Sequence, residues 1–168
     1  MAINAEDIIK ASYVKGNMTA ETRDEAIKEM LNIEAVAGNI GDINTVFDAV
    51  LAREAEFTTK LMDDISIPHA KSAEIKRAMV VIGKSKNGIE WRPEVDYKDS
   101  QEKDRVKVVF MILVPGQQPG NEHLKILALL ARCLSRKDFR ESIIETEDPQ
   151  TISAFLVEEI RKKQEARK

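Results

Sequence analysis

Val106-Lys107-Val108-Val109-Phe110-Met111-Ile112-Leu113-Val114 is the stretch on which the fold turns. It is apolar except at Lys107 and stops at Pro115-Gly116. A strand wet on one face alternates apolar and polar residues. A continuous apolar run of strand length is the pattern of a strand covered on both faces. Such a strand lies inside a sheet and needs apolar layers above and below it. The unbroken part, Val108 to Val114, is seven residues. A membrane-spanning helix needs about 20.

Working outward, Ala78-Met79-Val80-Val81-Ile82-Gly83 is a second apolar run of strand length. Asn87-Gly88 then predicts a tight turn before Ile89-Glu90-Trp91. Arg92 to Arg105 is polar and carries Pro93, which predicts an exposed loop or hairpin tip. Ile65-Ser66-Ile67 alternates and stops at Pro68, a short strand end. On the N-terminal side, Thr22 and Glu25 have capping-box spacing. Ile27, Met30, Leu31 and Ile33 to Ala35 then predict a helix ended by Gly38 and Gly41. Asp42 predicts the cap of a second helix reaching about Glu56, with Val46, Phe47, Val50 and Leu51 on one face. After Pro119-Gly120, Leu124, Leu127, Ala128, Ala131 and Leu134 recur at helical spacing. Phe139, Ile143 and Ile144 predict a shorter helix before Pro149. Ile152, Phe155, Leu156 and Ile160 predict a last one, which frays into a basic end. Helices, then strands, then helices around one sheet give an α/β or α+β class with a mixed sheet.

The chain has 168 residues, the size of one domain. Hydrophobic residues are 43% and charged residues 33%, too apolar for a disordered chain. Aromatics are only 5%, so the core must be mostly aliphatic. Lys plus Arg is 26 against 29 for Asp plus Glu, a net charge of −3. That balance argues against a general nucleic-acid binder, which needs a basic field. The single cysteine, Cys133, excludes an intramolecular disulfide and a cysteine zinc cluster, and fits a reducing compartment. The first residues carry two acids and no basic segment, unlike a secretory signal, so the expected location is the cytoplasm.

Only two histidines exist. His69 follows Pro68, whose ring fixes its own φ and biases Ile67 toward extended backbone. His123 falls in the predicted first turn of a helix, where free N–H groups favour an anion and keep an imidazole neutral. A histidine in a loop is most often just a polar surface residue, and each also reads that way. A metal site lacks His-x-His, His-x-x-x-His or cysteine partners. No Gly-x-Ser-x-Gly elbow and no phosphate-binding P-loop is present. Arg53, sixteen residues before His69, lies at the polar end of the second predicted helix. It reads either as an exposed arginine paired with a neighbouring acid or as a phosphate ligand, for which the guanidinium fork is suited.

Arg53-Glu54, Thr58-Thr59 and Ile65-Ser66-Ile67-Pro68-His69-Ala70 together resemble the signature of the fructose/mannitol-type enzyme IIA family of the bacterial phosphoenolpyruvate-dependent sugar phosphotransferase system. Gly88-Ile89-Glu90-Trp91, Val108 to Pro115, Glu122-His123-Leu124-Lys125-Ile126-Leu127-Ala128 and Phe139-Arg140-Glu141 resemble further family segments in the same order. The similarity covers about residues 10 to 160. The family's three loop glycines align with Lys60, Met62 and Asp64 here, and its alanine before Ile-Pro-His is Ser66.

The resemblance implies an α/β fold of one domain over residues 1–168, a mixed sheet flanked by helices on both faces, with a polar tail at 161–168. It implies that His69 is phosphorylated, that His123 stands beside it, and that Arg53 contacts the phosphoryl group. The donor would be HPr, and the acceptor an enzyme IIB that serves a membrane enzyme IIC. No metal, nucleotide or organic cofactor is implied, and no nucleic acid or direct membrane insertion. The alternative is a regulatory sensor of phosphorylation state with the same fold, which binds a target protein instead of feeding a transporter. Phe57, Leu61 and Met62 are the candidates for an apolar ring about His69, or else for core packing.

Overall fold

The computed structural model describes residues 4–62, 64–92, 105–116 and 122–166. The loop expected between Arg92 and Arg105 therefore falls, at 93–104, outside the described residues. Short elements open the chain: α1 (Ala5–Ile8), a 3-10 turn at Ala11–Tyr13 and β1 (Val14–Lys15). They are followed by α2 (Arg23–Leu31), α3 (Glu34–Ala37), α4 (Ile43–Glu56), β2 (Lys60–Met62), β3 (Ile65–Ser66), β4 (His69–Ser72), β5 (Met79–Glu90) and β6 (Arg105–Pro115). Three helices close the chain, α5 (Glu122–Leu134), α6 (Lys137–Glu145) and α7 (Pro149–Glu165).

The long apolar stretch is β6, and it is the middle of the sheet. β5 pairs with it antiparallel, Met79 opposite Leu113. On its other edge β3 and β4 run parallel to it, end to end, with Ile65 opposite Val108 and His69 opposite Ile112. The six-stranded sheet has the order β1-β5-β6-β3-β2, with β4 beside β6. It is a mixed sheet, as expected.

Alternation along β6 feeds two separate cores. Phe110, Ile112 and Val114 pack with Ile126 and Leu130 of α5, Ile143 of α6 and Leu156 of α7. Val109, Met111 and Leu113 pack with Ile27 and Met30 of α2 and with Val46 and Val50 of α4. Each fully buried aliphatic side chain contributes about 1.5–3 kcal/mol relative to exposure. This two-sided burial is what makes β6 apolar without interruption. The result is an α/β fold with helices on both faces of one sheet.

Several elements depart from the sequence expectation. α2 stops at Leu31 instead of running to Gly38. The Asn32 side chain donates to the Lys28 carbonyl, competing for helical acceptors, and Ile33, at φ −58° and ψ 129°, leaves the helical backbone before α3 begins. Asn87-Gly88 makes no hairpin; β5 passes straight through it. Between Lys84 and Ile89, β5 advances five residues while β6 advances two. Gly88, at φ 85°, supplies the left-handed residue this bulge requires. Lys84 sits buried beside the bulge and donates its Nζ to the carbonyls of Ile144 and Thr146, closing the end of α6. Burial lowers the pKa of that ammonium, partly offset by the Glu147 carboxylate.

Ser66 is fully buried, and its hydroxyl finds no partner among the described residues. An unsatisfied buried hydroxyl costs about 1–3 kcal/mol. Ser66→Ala is therefore expected to raise the thermal midpoint by about 2–4 °C for each kcal/mol recovered in a chain of this size. Calorimetry checks this, and a lowered midpoint would show that the hydroxyl is bonded after all.

Candidate functional site

α4 begins at Asp42, whose carboxylate accepts from the amides of Asn44 and Thr45. That cap satisfies two orphan donors and sets the phase of the whole helix. Its last turn carries Arg53, and the chain leaves it at Phe57, which is extended. From the sheet side, the parallel register with Ile112 to Pro115 sets β4. Ala70 of β4 is buried in the core under α4, and the half-buried His69 precedes it. His69 thus opens a strand instead of closing one, because the chain resumes pairing with β6 immediately after Pro68.

The helix end and the strand start meet. Arg53 Nε donates to His69 Nε2 at 3.0 Å. Arg53 Nη1 donates to the Phe57 carbonyl at 2.9 Å, which braces the guanidinium across the helix terminus. The other ring nitrogen, Nδ1, lies 3.1 Å from the Ile67 carbonyl. A carbonyl only accepts and an arginine N–H only donates. These two partners therefore assign the proton to Nδ1 and the lone pair to Nε2. The neutral ring is held at both nitrogens, with its nucleophilic atom under the arginine.

Around this pair is an open cavity of about 560 Å³. Arg53, Lys60, His69 and Lys71 line it together with Thr58 and Thr59. No Asp or Glu is among its described lining residues. In a chain of net charge −3, this is a local basic depression, and its donors suit an anion such as a phosphoryl group. Among the described residues no group of three or more His, Cys, Asp or Glu side chains is placed to hold a metal ion.

His123 lies in the first turn of α5, as the sequence predicts, but its side chain lies outside the described residues. Further along the same helix, Leu124 and Leu127 line the cavity with His69. α5 therefore borders the site. Phe57 is 79% exposed, Leu61 38% and Leu124 51%, so apolar side chains stand in solvent around the cavity. Leu124 was not foreseen, because its i, i+3 relation to Leu127 reads as core. The Met62 side chain lies outside the described residues.

Sequence reasoning also missed Glu54. It is 4% exposed and turned into the protein, not paired with Arg53 at the surface. Its Oε1 accepts from the Trp91 indole at 2.8 Å, the Thr59 amide at 2.9 Å and the Thr58 hydroxyl at 3.0 Å. Its Oε2 accepts from the Thr59 hydroxyl at 2.5 Å. An acid beside an arginine on a helix looks like a solvated pair. The one available signal was the single tryptophan, whose indole N–H needs an acceptor when buried.

A fructose-specific EIIA component of Haloferax volcanii is 36% identical over 137 residues, covering 82% of this chain and 84% of that protein. A fructose-specific EIIABC component of Bacillus subtilis is 30% identical over 146 residues. That match covers 87% of this chain but 22% of the longer relative. The solved complex of enzyme IIA and phosphorylated enzyme IIB for mannitol from Escherichia coli contains the same fold. Its TM-score is 0.62 at 21% identity, covering 92% of this chain and 97% of that one. The model for EIIA 2 of the phosphoenolpyruvate-dependent sugar phosphotransferase system matches residues 7–159. The match reaches from α1 into α7, through both cores and the Arg53–His69 pair, and the chain belongs to that family of phosphoryl-transferring components.

Proposed function

We propose that His69 accepts a phosphoryl group on Nε2 from phospho-HPr in the cytoplasm and passes it to a cognate enzyme IIB, which serves a membrane enzyme IIC. The observation that carries this reading is the ring's two hydrogen bonds, Nδ1 to Ile67 O and Nε2 to Arg53 Nε. A phosphocarrier needs a neutral imidazole with a directed lone pair, and these bonds specify one.

The Nε2 lone pair attacks phosphorus, the N–P bond to the donor histidine breaks, and the donor keeps that electron pair. Before attack, Arg53 Nε must give up Nε2, since the donor N–H occupies the lone pair. It then meets the phosphoryl oxygens, where its charge neutralises the transferring group. Nδ1 keeps its proton and donates it in a hydrogen bond to the Ile67 carbonyl, which supports the positive ring formed with the N–P bond. Lys60 and Lys71 add positive potential along the cavity wall. His123, one residue before Leu124 on α5, is the second histidine we assign to the site. The reaction requires no metal, nucleotide or organic cofactor.

The test is incubation with labelled phosphoenolpyruvate, enzyme I and HPr, followed by IIB. One label per chain, discharged by IIB, is expected. A chain that stays unlabelled while HPr is labelled would overturn the reading. The exposed Phe57, Leu61 and Leu124 suit the apolar centre of a transient interface. Chemical-shift mapping with HPr is expected to perturb the amides of these three residues. A response confined to the α2–α3 face would remove them from the docking surface.

A further inference from the structure

The buried Glu54 carboxylate has a place in this site beyond packing. Three hydrogen bonds connect it to the phosphoryl-accepting ring. The Thr59 amide donates to Glu54 Oε1 at 2.9 Å. The Ile67 amide donates to the Thr59 carbonyl at 2.9 Å. His69 Nδ1 meets the Ile67 carbonyl at 3.1 Å. Ile67 is thus clamped between Thr59 and His69, and Thr59 is clamped by Glu54 through both its amide and its hydroxyl. Pro68 restricts the peptide between the Ile67 carbonyl and the ring it holds. The Trp91 indole, fully buried just past the end of β5, roots the carboxylate in the core. The Thr58 hydroxyl donates to Glu54 and accepts from the Lys60 amide, so the cavity-lining turn is tied to the same two oxygens. On the other nitrogen, Arg53 is the residue before Glu54, and its brace, the Phe57 carbonyl, ends the same helix.

A carboxylate with four donors inside a protein is stable only where all of them are aimed at it. Such a group is rigid, and it transmits its position to whatever its donors hold. We infer that Glu54 is the positioning residue of this site: through Thr59 and Ile67 it holds the acceptor that keeps the His69 proton on Nδ1, and so reserves Nε2 for the phosphoryl group. The inference rests on the assignment of His69 above. Its basis is distance and reach, not charge: the chain of bonds needs oxygens at that place. That separates it from a purely structural role, in which only stability would respond.

Length and charge are separated by two variants. Glu54→Gln keeps the reach and the Oε1 acceptor but removes the charge. Glu54→Asp keeps the charge and withdraws both oxygens by about 1.5 Å, one C–C bond. The ring tautomer is read in unphosphorylated protein carrying 15N imidazole, with His69→Ala as the assignment control, and acceptance is timed against phospho-HPr. Glu54→Gln is expected to keep the Nδ1–H signature and to stay within about tenfold of the parent rate. Glu54→Asp is expected to mix the tautomers and to slow acceptance by about 10²-fold, the scale of an ångström misplacement. Glu54→Ala is expected to resemble Asp, with thermal midpoints recorded for all three; if Ala does not fold, the Asp and Gln pair decides alone. An Asp variant with the parent's tautomer and rate, or a Gln variant as impaired as Asp, overturns the inference. If the parent protein takes no phosphoryl group at all, the function of His69 fails, while the tautomer spectra still judge Glu54.

Discussion

His69→Ala is expected to accept no phosphoryl group from phospho-HPr. The substitution removes the only described ring nitrogen that pairs a directed lone pair with Arg53, at 3.0 Å. Lys60 and Lys71 line the cavity, but an ammonium has no lone pair to attack with. The Thr58 and Thr59 hydroxyls are committed to Glu54. The fold should survive: His69 is half-buried at the start of β4, while the main-chain register of β4 with β6 involves no imidazole. The parent phosphoprotein should lose its label in acid and keep it in base, as a phosphoramidate does and a phosphoserine does not. Labelling of the variant under conditions that label the parent is the measurement. A fully labelled His69→Ala would end the assignment, and base-labile label would point to a hydroxyl acceptor.

The sheet was legible where burial alone determined the residues. β6 can be apolar throughout only if both of its faces are covered, and the two cores confirm that cover. Helix starts at Thr22 and Asp42 were legible because capping needs a particular side chain at a particular offset. β2 and β4 were not. Their residues, Lys60-Leu61-Met62 and His69-Ala70-Lys71-Ser72, lack the apolar pattern because both strands lie toward the open edge, and Lys60, Leu61, His69, Ala70 and Lys71 line the cavity. Asn87-Gly88 misled because a left-handed glycine serves a bulge as well as a hairpin, and local sequence does not say which. At the site, Arg53 and His69 were identified by the family resemblance and are brought into contact by α4 and β4. Glu54 stayed hidden because its partners lie four, five and thirty-seven residues away, and only folding brings them to one carboxylate.

Arg53→Ala and His123→Ala are expected to remain phosphoryl acceptors but to load slowly, by a factor of roughly 10² to 10³, the usual loss for one stabiliser of transition-state charge. For Arg53 the structure shows two contacts. Nε donates to His69 Nε2 at 3.0 Å, which on the proposed reading puts its charge beside the accepting nitrogen, and Nη1 fixes the guanidinium to the Phe57 carbonyl at 2.9 Å. Arg53→Lys keeps a positive charge but cannot hold both partners with one fork, so it should fall between Arg and Ala. Arg53→Ala also frees the Nε2 lone pair, which on its own would favour attack. The predicted slowing therefore requires that charge neutralisation outweigh lone-pair release, and single-turnover rapid quench with labelled phospho-HPr measures that balance. An Arg53→Ala variant as fast as the parent would show that the arginine only masks the ring at rest. For His123 the expectation rests on its place in the first turn of α5, beside the cavity-lining Leu124. If His123→Ala loses acceptance as completely as His69→Ala, the nucleophile and its neighbour have been divided wrongly between the two histidines.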